Sequence, residues 1–250
     1  MRRSALPVVA IIAAVAPPSL AARHDPHLDR YEARTIVTGT DLRSRPAGMA
    51  ACLADVLVKV SGDPTILDDP RLPALQARAG NYATGFDYWD RMSGIAHHDE
   101  QGSSDRPYDL TVRFDPVRVA AALRILGRAP WPDPRPALVV QVKVQDLHDA
   151  FDLTAGEKRA AEMRAALVES GEKYGIRVIV PDSLTAPANG VALPGTLVLS
   201  EAALGWVASW HLKWQGANYV WGVSGVNFDA AFRDGVRGAE QVLSGHGPPQ

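Results

Sequence analysis

Trp206-Val-Ala-Ser-Trp-His-Leu-Lys-Trp-Gln-Gly-Ala-Asn-Tyr-Val-Trp-Gly-Val-Ser-Gly-Val226 decides the architecture. Trp206, Ala208, Trp210, Leu212 and Trp214 alternate with more polar neighbours, and period two means a strand with one apolar face. Gln215-Gly216-Ala217-Asn218 reads as a turn, and Tyr219, Trp221 and Val223 continue the alternation on a hairpin partner. A helix opening near Asp229 and carrying Val236, Ala239, Val242 and Leu243 on one stripe needs an apolar surface. The indole face of the hairpin supplies one.

Moving toward the N-terminus, the same alternation of elements recurs. Ala137 to Val144 is a compact apolar run typical of a buried strand, Thr154 with Glu157 resembles a capping box opening a helix that ends near Tyr174-Gly175, and Ile176 to Val180 is a further strand. Pro181 to Pro194 reads as an irregular connection, with a short strand at Thr196 to Leu199. Earlier still, strands are expected at Tyr31 to Val37, around Phe86, Tyr88 and Trp89, and at Tyr108 to Phe114. Helices are expected at Arg45 to Val60, near Leu72 to Ala79, and at Val117 to Leu126 behind the cap Asp115-Pro116. Ser93 to Arg106 carries no periodicity and reads as a loop. The expected fold class is α+β, in two segments that each pack helices on a small, mainly antiparallel sheet.

Four prolines surround Trp131 between Ala129 and Pro136 and place a linker there. The resulting division is a signal peptide at 1–22, an N-terminal segment at 23–128, the proline-rich linker at 129–136, a C-terminal segment at 137–243 and a tail at 244–250. The leader reading rests on Arg2 and Arg3, the apolar run Ala5 to Ala16, and the small residues around Ala21. A run of about twelve residues is too short to span a bilayer, which takes roughly 20. An exported, periplasmic chain without a membrane anchor is expected.

Removing residues 1–22 leaves 24 basic against 28 acidic residues, a charge near −4 with no basic block, which argues against nucleic acid. Cys52 is the only cysteine, so no intramolecular disulfide can form.

Several separate motifs are similar, in order, to a bacterial family called domain of unknown function 2066. They are Leu53 to Asp63 with Pro64 and Leu67-Asp68-Asp69-Pro70, Tyr108 to Asp115, Ala129-Pro130-Trp131, the strand after Arg135-Pro136, the Trp-rich hairpin and the helix Asp229 to Leu243. The stretch from Val180 to Thr196 is shorter than in that family, as though a helix were missing. The resemblance implies an exported protein with no assigned catalytic residues.

Candidate chemistry is sparse. Ser61-Gly62-Asp63 reads as a helix stop and turn, Gly222-Val-Ser-Gly225 lacks the spacing of a nucleophile elbow, and Cys52 reads as a buried packing residue. His97-His98-Asp99-Glu100 and His148-Asp149 read as solvated loops, with His97, His98 and Asp109 the titratable groups to inspect for an enzyme. Cleavage after Ala21 would leave Ala22-Arg23-His24, whose amine, amides and imidazole can hold Cu(II) or Ni(II) in a square plane. Cleavage after Ala22 would abolish that site, and no other metal site or cofactor is indicated. Trp206, Trp210 and Trp214 could stack on a glycan, but the closing helix makes them core by expectation. The reading is a non-catalytic binding or adaptor module that contacts an envelope protein. The alternatives are a glycan or peptidoglycan binder using the Trp-rich hairpin and a hydrolase with an unrecognised site.

Overall fold

A computed structural model describes residues 28–93, 106–184 and 190–249. The leader, His24 and the His97 to Glu100 cluster lie outside the described residues. The chain is α+β, and the described residues form a three-stranded and a six-stranded sheet.

The first sheet contains β1 (Glu32–Thr38), β2 (Ala83–Asp90) and β3 (Pro107–Phe114), all antiparallel, in the order β1-β3-β2. Leu110, Val112 and Phe114 point inward and are buried, while Asp109 and Arg113 lie on the opposite face. Against the inner face lies α1 (Arg45–Ser61), and α2 (Leu72–Gln76) and α3 (Pro116–Ile125) pack on α1. Gly48 lets α1 approach closely, since a Cβ there would sit 2.6 Å from side-chain atoms of both Leu110 and Val37. The expected caps are present: Gly62 ends α1 at φ 72°, and the Asp115 carboxylate accepts the Arg118 N–H at 2.9 Å.

The second sheet is built from β4 (Leu138–Gln145), β5 (Ala150–Leu153), β6 (Val178–Ile179), β7 (Val191–Ser200), β8 (Gly205–Trp214) and β9 (Ala217–Val226), in the order β5-β4-β7-β8-β9, with β6 beside β4. β4 runs parallel to β6 and β7, and the remaining pairs are antiparallel. The helices α4 (Ala161–Tyr174) and α5 (Phe228–Leu243) pack on each other, α5 lying over β7, β8 and β9. The hairpin closes through Gln215 (φ 49°) and Gly216 (φ 84°), a two-residue loop with both φ positive that matches the strand twist.

Three expectations need correction. The capping box at Thr154 and Glu157 does not open the long helix: β5 precedes it, Glu157 accepts the Arg159 N–H at a short 3₁₀ turn, and α4 begins at Ala161. The irregular stretch ending at Pro194 includes strand, because β7 starts at Val191. Pairing with β8 begins only at Gly195, so the missing N–H of Pro194 costs no bond on that side. Finally, the cap of α5 is Asn227, whose side chain accepts the Ala230 N–H at 2.8 Å, and Asp229 lies inside the first turn.

The hairpin indoles face inward. Trp210 is 0% exposed, held between Gly195 of β7 and Gly235 of α5, where a Cβ at either glycine would come within 2.5 Å of the ring. Trp221 sits against Gly238 in the same way and donates its Nε1–H to the Asp234 carbonyl at 3.2 Å. Gly235 and Gly238 therefore form a notch on α5 that receives the two rings. Trp206 and Trp214 are half-buried against the same core.

Candidate functional site

The buried residues of both sheets form one continuous cluster, and polar groups converge at the C-terminal end of α1. Arg135, from the proline-rich stretch, donates to the carbonyls of Lys59 (2.7 Å), Val60 (2.8 Å) and Gly175 (3.0 Å). It thus caps the C-termini of α1 and α4 with one cation, where the helix dipoles favour positive charge. Its guanidinium stacks over Trp131 at 4.5 Å, and the Trp131 N–H donates to Val60 O at 2.8 Å. Burial lowers the Arg135 pKa to about 10. Lys173 of α4 pairs with Asp55 of α1 at 3.1 Å.

The tail beyond α5 closes the same junction. Ser244 Oγ lies 2.7 Å from Gly62 O and 2.8 Å from His246 Nδ1, and His246 Nε2 lies 3.9 Å from Asp63 Oδ2. Serine, histidine and aspartate meet here, yet their connectivity is that of a clasp. The serine hydroxyl has one proton, and a carbonyl stands at 2.7 Å to accept it. Asp63 is engaged elsewhere: its Oδ1 accepts the Thr65 N–H and hydroxyl at 3.0 and 2.6 Å, and its Oδ2 accepts from Arg128. At 3.9 Å the imidazole is beyond hydrogen-bond range of that carboxylate, so the aspartate does not orient it as a triad requires. Ser61-Gly62-Asp63 acts as a helix stop and turn, as its residue types suggest.

Glu240 is the unusual member of the junction. It lies on the buried stripe of α5, is 0% exposed, and neither carboxyl oxygen has a hydrogen-bond partner among the described residues. Burial raises its pKa well above the ordinary 4.5, against the opposing pull of Arg135. The folded chain therefore holds a proton that the unfolded chain releases, and stability contributed below about pH 4.5 is lost as pH rises toward the folded value. Glu240→Gln should flatten that decline and raise the unfolding midpoint at pH 7, as urea titrations at pH 5 and pH 7 would measure. An equal shift at both pH values would contradict it. Asp63 carries the opposite sign. Burial pushes its carboxyl up, but the bonds from Thr65 and Arg128 prevail and hold it below the usual range, so its contribution is lost on acidification.

The remaining sequence candidates are dispersed. Cys52 is fully buried, and burial pushes its thiol up to about 12, which leaves it unreactive. Asp146 accepts the backbone N–H groups of His148 and Asp149, both at 2.8 Å, and Asp149 pairs with Arg159, so this cluster shapes the β4–β5 turn. Ser224 lies on the solvent side of β9. Asp109 lies on the outer face of the first sheet, 3.8 Å from Arg91 and between Ile36 and the 68% exposed Trp89 in the strand register. Trp210 has no exposed face to offer a sugar. Among the described residues no group of three or more His, Cys, Asp or Glu is arranged to hold a metal ion, and no helix is long and apolar enough to cross a membrane.

The junction also produces a concavity. An open groove of about 560 Å³ runs between β1 and α4, lined by Arg34, Arg164, Ala165, Val168, Glu169, Glu172 and Val180. Ala165, Val168 and Val180 are its apolar lining, Ala165 and Val168 are exposed, and Arg34 lies 4.0 Å from Glu169. Neither its residues nor their spacing announce it in the sequence, because its walls come from different sheets.

Residues 27–132 match the model of a family described as Domain of unknown function (DUF8605). This overturns the resemblance to domain of unknown function 2066, which is a different family. The motifs that suggested it are helix stops, caps and apolar strands, features that any chain of this architecture needs, and so they do not discriminate between families. The matched span contains the three-stranded sheet with α1, α2 and α3, and ends within the proline-rich stretch. No curated protein and no solved structure matches the chain.

Proposed function

We propose that the chain is an exported, non-catalytic binding module of the cell envelope, and that the groove between β1 and α4 takes a segment of a partner protein. The groove itself carries this reading, because its lining combines the apolar Ala165, Val168 and Val180 with charged groups of both signs, Arg34 and Arg164 against Glu169 and Glu172. Apolar contact supplies affinity and the charges set the register of a bound chain. The leader-like residues 1–22 support export, and the clasp connectivity of Ser244, His246 and Asp63 favours binding over hydrolysis.

A photo-crosslinking residue placed at Val168 of the full-length chain should give one adduct of defined mass in the periplasmic fraction. The same residue at Val117, exposed on α3 and outside the groove, should give none. Ala165→Glu should abolish the Val168 adduct. Identical adducts from both positions, or recovery of the chain in the cytosol with Met1 retained, would overturn the proposal.

A further inference from the structure

β9 is the terminal strand of the second sheet, and its far edge has no partner strand among the described residues. The other sheet edges are guarded in the way free edges usually are. β5 has only four residues and includes Asp152, β6 has only two residues, β1 carries Glu32 and Arg34, and β2 carries Asp87 and Asp90. β9 runs ten residues, Ala-Asn-Tyr-Val-Trp-Gly-Val-Ser-Gly-Val, with no charge and no proline. An unguarded edge of this length is a template for another strand.

We infer that this edge is an interface between two copies of the chain, with β9 pairing antiparallel to β9 of the second copy about a two-fold axis at Trp221. The hairpin fixes which groups are available. Trp214 and Ala217 close its two-residue loop, and the alternation of antiparallel pairs turns the backbone groups of Asn218, Val220, Gly222 and Ser224 away from β8. With the axis at Trp221, Val220 meets Gly222 of the second copy, Asn218 meets Ser224, and Tyr219 meets Val223. An apolar side chain therefore fits over a residue without one, two small polar side chains face each other, and an aromatic ring lies beside a β-branched one. Gly222 cannot be replaced without breaking β8, since a Cβ there would fall 2.2 Å from Ala208 O, and so the recess opposite Val220 is built into the hairpin. Absence of charge along the strand removes the like-charge repulsion that would oppose two identical edges. Pairing extends the sheet from six strands to twelve, and the bulge at Gly225 (φ 74°) bounds the paired length.

The test uses the full-length chain after export. Light scattering on a size-exclusion column should give twice the mass of one chain, and Val220→Lys, at a position already 64% exposed, should halve it with the far-ultraviolet circular dichroism still that of a folded chain. Asn218→Cys and Ser224→Cys variants, mixed and oxidised, should form a crosslinked heterodimer, whereas Asn218→Cys alone should not. Cys52 is buried and stays silent. A monomer at all concentrations, a dimer indifferent to Val220→Lys, or crosslinking of Asn218→Cys to itself would each overturn the inference.

Discussion

Trp210→Ala should lower the unfolding free energy by about 3–5 kcal/mol, the range for removing a buried tryptophan from a core. The indole is the largest fully buried side chain of the molecule and touches both layers of the second segment, Gly195 on the sheet and Gly235 and Phe232 on α5. The two glycines have no side chains that could move into the space, so most of the cavity would stay open. Its Nε1–H has no hydrogen-bond partner among the described residues, so the ring acts by packing alone. Trp210→Phe, which keeps a ring and removes that buried donor, should therefore cost less than the alanine change. Urea unfolding of the three proteins measures the order, and equal losses for the two variants would contradict it.

Arg135→Met should cost about 1–3 kcal/mol, the magnitude for leaving buried hydrogen-bonding groups without their partner. The side chain is similar in length, but the carbonyls of Lys59, Val60 and Gly175 lose their donor at the ends of two helices. Arg135→Lys should recover only part of the loss, because a point ammonium cannot span three carbonyls that a planar fork reaches at once. The consequence extends to the groove, since α1 and α4 meet at this residue and α4 forms one wall. Arg135→Met should weaken adduct formation at Val168 although Arg135 does not line the groove. An unfolding midpoint within error of the parent would contradict the role given to this residue.

Local signals carried much of the architecture. The period-two run from Trp206 to Trp214 fixed a strand and its inward face, and Gly62, Gly175 and Asp115 marked helix ends where the chain does terminate or start them. The first part of β7 is not legible because Pro194 normally breaks a sheet, and only the register, in which pairing with β8 begins at Gly195, explains its place there. The junction was illegible for a different reason: Ser244 and Gly62 are 182 residues apart, and no periodicity reports which chain end meets which helix end. One signal was present. Glu240 stands on the apolar stripe between Val236, Ala239 and Leu243, and an acid in that position marks a buried carboxyl.

Both the groove and its proposed occupant depend on the two sheets forming one body around the C-terminal end of α1. Differential scanning calorimetry of the processed chain tests this most directly. A single transition, with calorimetric and van't Hoff enthalpies equal, is the expected result. Two resolved transitions, one of them unmoved by Arg135→Met, would show that the halves fold independently and that the groove between them is not a fixed feature.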